Sequence, residues 1–341
     1  MRIGVVGLGM AVAPHARSLI DLKDRIEVAY AFSPSAARRA KFTETYGIAT
    51  SDSIEPIFTD PSVEAVMILT PPNTHLELVE RAAAAGKHIL LEKPLDITIT
   101  RSEAIVEAAR KANVSLGVVF QNRFSPGALA LRDIVETGRL GQLVSASATI
   151  SNWRAQSYYD EPERGTKARD GGGVLLTQAI HILDLLVMAA GLPVDVAAFA
   201  TTTPIHRMET EDLAAAALRF GNGAIGTILA STVAYPGSDG QVSLIGTKGA
   251  ATLTGTTLRA AFHDGTTLDV SPAIAGTGAG ADPMAFGHDL HRALIAGFAD
   301  AIPGTPSPSG EDALKVHYLI DAMLTSSERG GTPVSPKGSR G

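Results

Sequence analysis

The chain has 341 residues, 45% hydrophobic and 19% charged, enough apolar material for two domains and too much for a disordered chain. A net charge of −6 and a pI near 5.9 provide no basic face for nucleic acid or an anionic membrane. With no cysteine, disulfides, thiolate catalysis and Cys-ligated zinc are excluded, and a soluble, cytoplasmic protein is expected.

Residues 3–6 read as a buried strand running into the turn Gly7-Leu8-Gly9 and a helix over about 11–22. The same stretch mimics a short signal peptide, but the strands and helices that follow favour the strand. Further strand-length apolar runs fall at 26–32, 63–70, 88–91 and 115–120. Helical patterns lie between them, with caps expected at Asn73 or Thr74 and at Thr100, and a stop at Gly86. Continuous apolar strands separated by helices predict an α/β domain over residues 1–122, its parallel sheet covered on both faces.

Beyond residue 122 the pattern changes. A helix near 127–137 leads to an alternating strand at 143–152, then a helix at 174–189. Strands follow at 194–203, 212–220, 224–232, 240–245, 250–254, 257–263 and 267–270, joined by tight glycine turns. Residues 123–341 are therefore expected to form an α+β domain on a large, mostly antiparallel sheet. A glycine-rich stretch at 275–281, helices at 284–301 and 311–329, and a tail that need not be ordered complete it. No run reaches the roughly 18–20 uninterrupted apolar residues of a membrane span.

Gly7 and Gly9, with Met10 beside them, match the turn that brings a pyrophosphate onto a helix N-terminus, although Val12 replaces the third small residue. The competing reading is a plain strand-to-helix turn. The second strand ends at Phe32-Ser33-Pro34-Ser35 with no acid for a ribose 2′-hydroxyl, and Glu27 lies at its wrong end. Ser33, Ser35, Arg38 and Arg39 suit a 2′-phosphate instead, so NADP(H) is favoured over NAD(H).

Gly7-Leu8-Gly9, Thr70-Pro71-Pro72-Asn73-Thr74-His75 and Glu92-Lys93-Pro94, with the later run from Gly171-Gly172-Gly173 to His181 and Asp184, together resemble the Gfo/Idh/MocA family of oxidoreductases. The likeness covers essentially the whole chain. It implies a Rossmann domain for NAD(P), then a domain whose sheet carries the substrate site and a subunit interface, as in a homodimer or homotetramer. It implies that Thr70, Pro71, Asn73 and His75 border the cofactor and that Glu92 and Lys93 lie beside the nicotinamide. Lys93 would contact the reacting oxygen, Pro94 would follow a cis bond, and His181 would transfer the proton. One position departs: the family's inositol dehydrogenases carry an aspartate four residues before that histidine, and here it is Thr177.

On spacing alone, Thr177, His181 and Asp184 or Leu185 share a helix face, with Gln178 and His181 neighbours at i, i+3. A lone histidine on an apolar helix is usually a core residue; the three glycines before it favour a site. Lys93 at a strand's C-terminal end can steady a developing alkoxide or donate its proton, with Glu92 orienting it. Gln121, Arg123, Trp153, Tyr158, Gln178 and Asp184 are candidates to line a polar substrate pocket, with Asn122, Tyr159 and Arg169 beside them. Arg154 and Arg164 read equally as surface charges. His288 and His291 share a face but have no companion carboxylate, so no metal is expected. The expected activity is hydride transfer between NAD(P)(H) and a sugar, polyol or related hydroxy/carbonyl compound. The alternatives are a non-catalytic cofactor or sugar sensor, and a reductase of a non-sugar such as a dihydrodiol.

Overall fold

The computed structural model describes residues 1–271 and 287–338. The chain forms two compact units, residues 1–121 with 288–314 and residues 122–287 with 315–341. It passes between units where the sequence pattern changes, but residues 288–314, expected in the second domain, group with the first. The glycine-rich stretch at 275–281 and the first residues of the helix expected from 284 lie outside the described residues.

In the first unit β1 (Arg2–Val6), β2 (Glu27–Phe32), β3 (Ala65–Ile68), β4 (His88–Leu91) and β5 (Leu116–Val118) form a parallel sheet in the order β2-β1-β3-β4-β5. Helices α1 (Val12–Asp21), α2 (Ala36–Tyr46), α3 (Glu55–Thr59), α4 (His75–Ala84) and α5 (Ile99–Lys111) connect the strands. Every residue of β3 is buried, as are Ile89, Leu90 and Leu91, because helices cover both faces. Thr98, not the expected Thr100, caps α5: its backbone is still extended and its hydroxyl accepts the Arg101 amide. Strand order reverses at β1, and ligands of such sheets bind outside the carboxyl ends at that point. There Gly7 N donates to Phe32 O at 2.9 Å, Leu69 N to Val6 O at 2.8 Å and Glu92 N to Ile68 O at 2.9 Å. These bonds bring the Gly7 turn, Ser33, Thr70 and Glu92 out at one end of the sheet.

The second unit contains α6 (Pro126–Glu136), β6 (Leu143–Ser151), α7 (Gln156–Tyr159), α8 (Lys167–Asp170) and α9 (Ile180–Ala190). After these come β7 (Asp195–Thr201), β8 (Leu213–Arg219), β9 (Ile225–Ser231), β10 (Gln241–Gly246), β11 (Gly249–Thr254), β12 (Thr257–Phe262) and β13 (Thr267–Val270). The sheet runs β13-β12-β11-β10-β6-β9-β8-β7 and is antiparallel except where β6 lies parallel to β9. Its inner face, including Ala146, Ala148, Val242 and Leu244, is buried, with α9 packed against β6 and β10. The stretch Lys167–Ala190 is apolar enough to span a membrane by length and composition, but 72% of its most apolar window is buried inside the protein.

Helix α10 (Asp289–Ala301) lies on α1. Ser18 Oγ donates to His288 O at 3.2 Å, and Asp21 Oδ2 accepts from Arg292 Nη1 and pairs with His288 Nε2, each at 2.9 Å. Helix α11 (Gly310–Glu328) carries the chain back to the second unit. The tail then takes a fixed place: Val334 and Val196 exchange backbone bonds of 2.8 and 2.9 Å, closing the free edge of β7.

Candidate active site

Gly7 and Gly9 serve different needs. Gly7 has φ +102°, and a Cβ there would stand 2.7 Å from the Leu69 carbonyl carbon, so the turn itself demands glycine. A Cβ on Gly9 would meet nothing within 4 Å, so nothing in the fold requires glycine there. Behind this open space α1 starts at Val12 with no side-chain cap. An open glycine position before an uncapped helix start fits a pyrophosphate, which takes amide donors and the positive end of the helix dipole. Val12, in place of the third small residue, is accommodated in the core. Met10 beside the turn is 55% exposed.

After β2 there is no carboxylate. Ser33 is buried, and Ser35 Oγ caps α2 by accepting the Arg38 amide. Arg39 Nη1 donates to the Ser33 and Pro34 carbonyls at 2.7 and 3.2 Å, whereas Arg38 is exposed.

After β3, Thr74 Oγ1 donates to Thr70 Oγ1 at 2.7 Å and to Pro71 O at 2.8 Å. The Asn73 carbonyl accepts from Arg101 Nη2. His75 is fully buried, its ring between Thr70 O at 2.9 Å and the Pro94 and Leu95 carbonyls at 3.1 and 3.0 Å. Burial pushes its pKa below the ordinary value, against the pull of the Thr70 and Leu95 carbonyls. The ring thereby ties the Thr70 loop to the loop after β4.

That loop carries Glu92 and Lys93, and the Lys93–Pro94 peptide is cis. Glu92 Oε1 accepts from His15 Nε2 at 3.0 Å, and Oε2 from the Lys93 amide at 2.9 Å. Burial opposes ionisation of Glu92. The His15 hydrogen bond and the nearby positive charge of Lys93 outweigh it and hold the carboxyl at about 2. His15 was not among the residues expected from sequence, and neither was its neighbour His291 as a companion of Glu92. Gln121, past β5, has a buried Oε1 with no hydrogen-bond partner among the described residues.

In the second unit Gly173 admits no side chain, because a Cβ would lie 1.8 Å from Glu211 O. Glu211 reaches over this segment, its carboxylate accepting the Gly173 and Leu175 amides at 3.0 and 3.1 Å. Burial raises its pKa despite these bonds. The next five residues, Leu175–Ala179, wind as a π-helix before α9 begins. Thr177 and Gln178 lie inside this π segment, and His181 lies just beyond it in the first turn of α9. Thr177 Oγ1 donates to Gly173 O at 2.6 Å and also bonds the Gln178 side-chain oxygen. Thr177, Gln178 and His181 are all half-buried.

Arg123 and Asp184 are brought together. Arg123 Nε donates to Oδ2 at 2.7 Å and Nη2 to Oδ1 at 2.6 Å, with Asp184 fully buried. Trp153 meets Tyr235 edge-on at 5.4 Å, and Tyr158 meets Tyr159 edge-on at 5.0 Å beneath the Arg164 guanidinium. Sequence reasoning also missed a buried His206–Asp212 pair at 2.9 Å. Its other ring nitrogen faces Arg154 O, so the pair braces the fold.

A five-stranded Rossmann sheet with a phosphate turn, followed by an antiparallel sheet, defines a class of nucleotide-dependent oxidoreductases. Residues 1–120 match the profile described as oxidoreductase family, NAD-binding Rossmann fold, and residues 128–252 match the GFO/IDH/MocA C-terminal domain. The chain belongs to the Gfo/Idh/MocA family of oxidoreductases. It is 33% identical to myo-inositol 2-dehydrogenase of Thermotoga maritima over 257 residues, 73% of this chain and 74% of that one. Levoglucosan dehydrogenase, solved with NADH and levoglucosan, has the same fold at TM-score 0.86 and 24% identity over 99% of both chains. The WlbA dehydrogenase from Bordetella pertussis, solved with NADH and UDP-GlcNAcA, is 25% identical at TM-score 0.82 over 98% of both chains.

Proposed function

We propose that the protein is an NAD(P)-dependent dehydrogenase or reductase acting on a CH–OH group of a sugar, polyol or similar hydroxylated compound. The observation that carries this reading is the pairing, at one end of the Rossmann sheet, of the open Gly9 cradle with Lys93 beside ionised Glu92. When bound, the nicotinamide exchanges a hydride with the substrate carbon; the chain's own residues manage the proton and the developing charge. In reduction the Lys93 ammonium steadies the developing alkoxide and donates its proton to it, in oxidation the neutral Lys93 amine takes the hydroxyl proton, and Glu92 balances the charge of the ammonium. His181 is the second proton-transfer group. Gln121 Oε1, without a hydrogen-bond partner among the described residues, is suited to accept a substrate hydroxyl. Trp153, Tyr158 and Gln178 are the proposed substrate contacts of the second unit, whose core holds the Arg123–Asp184 pair.

NADP(H) is the preferred cofactor on this reading, supported by the missing carboxylate after β2 and the exposed Arg38. Nicotinamide fluorescence titrations with NADPH and NADH test it, and tighter NADH binding refutes it. Self-association is proposed through the outer sheet face, where Phe199, Ile225, Leu229 and Ile245 are 44–66% exposed on one side by strand register. The activity itself is tested by following NAD(P)H absorbance against sugars, polyols and keto-sugars with wild type and Lys93→Met. The variant should bind cofactor normally and lose about 10²-fold or more in kcat; unchanged turnover removes Lys93 from the chemistry.

A further inference from the structure

Glu92 is gripped at both oxygens, and one grip comes from a residue that no motif includes. His15 on α1 is fully buried, and the Glu92 side chain is only 13% exposed. A carboxylate only accepts, so His15 Nε2 carries the proton in the 3.0 Å bond to Oε1. His15 Nδ1 has no hydrogen-bond partner among the described residues. His291 of α10 stands edge-on against this ring, 4.9 Å between centroids at 84°. Burial and the neighbouring His15 hold His291 down at about 3, so it packs as a neutral ring. On its other side Glu92 Oε2 holds the Lys93 amide at 2.9 Å. The chain thus uses residues 15, 92 and 291 to build one buried support behind the strand end that carries Lys93.

We propose that His15, wedged by His291, is a positioning residue for the Glu92–Lys93 pair, keeping the Glu92 carboxylate ionised and in one orientation. Glu92 in turn fixes the Lys93 backbone and balances its ammonium. This deepens the dehydrogenase reading and rests on it for its catalytic consequence. The titratable groups facing Glu92 are His15 from α1, Lys93 from its own loop, His291 from α10 and His75 from α4. The ligand-type atoms of His15, Glu92 and His291 also lie within 4.8 Å of one another, close enough to share a cation. The brace is favoured because a proton already closes the His15–Glu92 contact and the second carboxylate oxygen is taken by an amide.

The test compares wild type, His15→Leu and His15→Gln by carboxyl ¹³C NMR titration, with the Glu92 signal assigned by its loss in Glu92→Gln. Glutamine can return a donor towards Oε1; leucine cannot. Wild-type Glu92 should stay ionised down to about pH 4, and His15→Leu should raise its midpoint by about one unit or more, tenfold in proton affinity. His15→Gln should restore most of that shift. Turnover should follow: in His15→Leu, kcat falls about tenfold with cofactor KM within about threefold. The acid limb of its pH profile moves upward, and His15→Gln recovers both. If leucine does not fold, His15→Asn, whose shorter amide does not reach Oε1, takes its place. Identical Glu92 titration in all variants overturns the brace whether or not the enzyme turns over. So does one equivalent of zinc bound by wild type and lost in His291→Phe, which would make the cluster a metal site. A shifted Glu92 with no turnover on any substrate sinks the dehydrogenase reading alone.

Discussion

Replacing each glycine of the first turn by alanine should separate folding from cofactor binding. At Gly7 the left-handed backbone costs an alanine about 1–2 kcal/mol. Its methyl would also press within 2.7–2.9 Å of the Leu69 and Thr70 backbone, which has no flexible end to yield. Such overpacking adds about 1–3 kcal/mol, so Gly7→Ala should cost about 2–5 kcal/mol and lower Tm by about 5–15 °C. At Gly9 the backbone lies outside the left-handed region and a methyl meets no atom. Gly9→Ala should therefore leave stability, and with it Tm, unchanged or raise stability by up to about 1 kcal/mol through the unfolded chain. The same methyl stands where the pyrophosphate must approach, so NADH or NADPH affinity should fall about 10–100-fold, or about 1.4–2.8 kcal/mol. Differential scanning fluorimetry and cofactor fluorescence titration read the two quantities separately. Wild-type affinity in Gly9→Ala would show that the phosphates do not contact this turn. A Tm loss equal to that of Gly7→Ala would show that the space at Gly9 is not open.

Arg123→Met leaves the fully buried Asp184 without its guanidinium and should cost about 3–5 kcal/mol in urea unfolding. Arg123→Met/Asp184→Leu should recover most of this; equal loss in the double variant would mean that packing, not charge, is at stake. Burial holds His317 down at about 3, while the unfolded chain takes its proton near 6.5. Folded stability should therefore be full above about pH 6.5 and fall as pH drops towards 3, by about 1.4 kcal/mol per pH unit for this residue. His317→Leu should remove one proton from the slope of denaturation free energy against pH between 4 and 6, and an unchanged slope would clear His317 of the effect.

The architecture was legible because burial has a period. Unbroken apolar runs such as Ala65–Ile68 and His88–Leu91 belong to strands covered on both faces, while alternation along Leu143–Ser151 marks a sheet with one face buried. Glycine turns then fixed the hairpins of the second sheet. The glycine cradle, the lysine at a strand end and the triple glycine were visible as local patterns. Their partners were not. His15 meets Glu92 across 77 positions and Arg123 meets Asp184 across 61, and no spacing rule links residues so far apart. The return of α10 to α1 was hidden for the same reason: its apolar face says that it packs, not on what. The π turn at Leu175–Ala179 has no compositional mark, and it begins where Glu211 holds the Gly173 and Leu175 amides from 38 and 36 positions away.

That pinning bears on the residue that sets this chain apart from the family's inositol dehydrogenases. Thr177 is neutral, so it cannot raise the proton affinity of His181 through charge as an aspartate would. Glu211, the carboxylate that reaches this segment, has its oxygens on the Gly173 and Leu175 amides and is itself pushed towards the neutral form by burial. At Lys93 the reverse holds, because a carboxylate kept ionised at about 2 stands next to it, held by a buried histidine. A carboxylate held ionised in the Rossmann unit therefore supports the proposed place of Lys93 in the proton transfer.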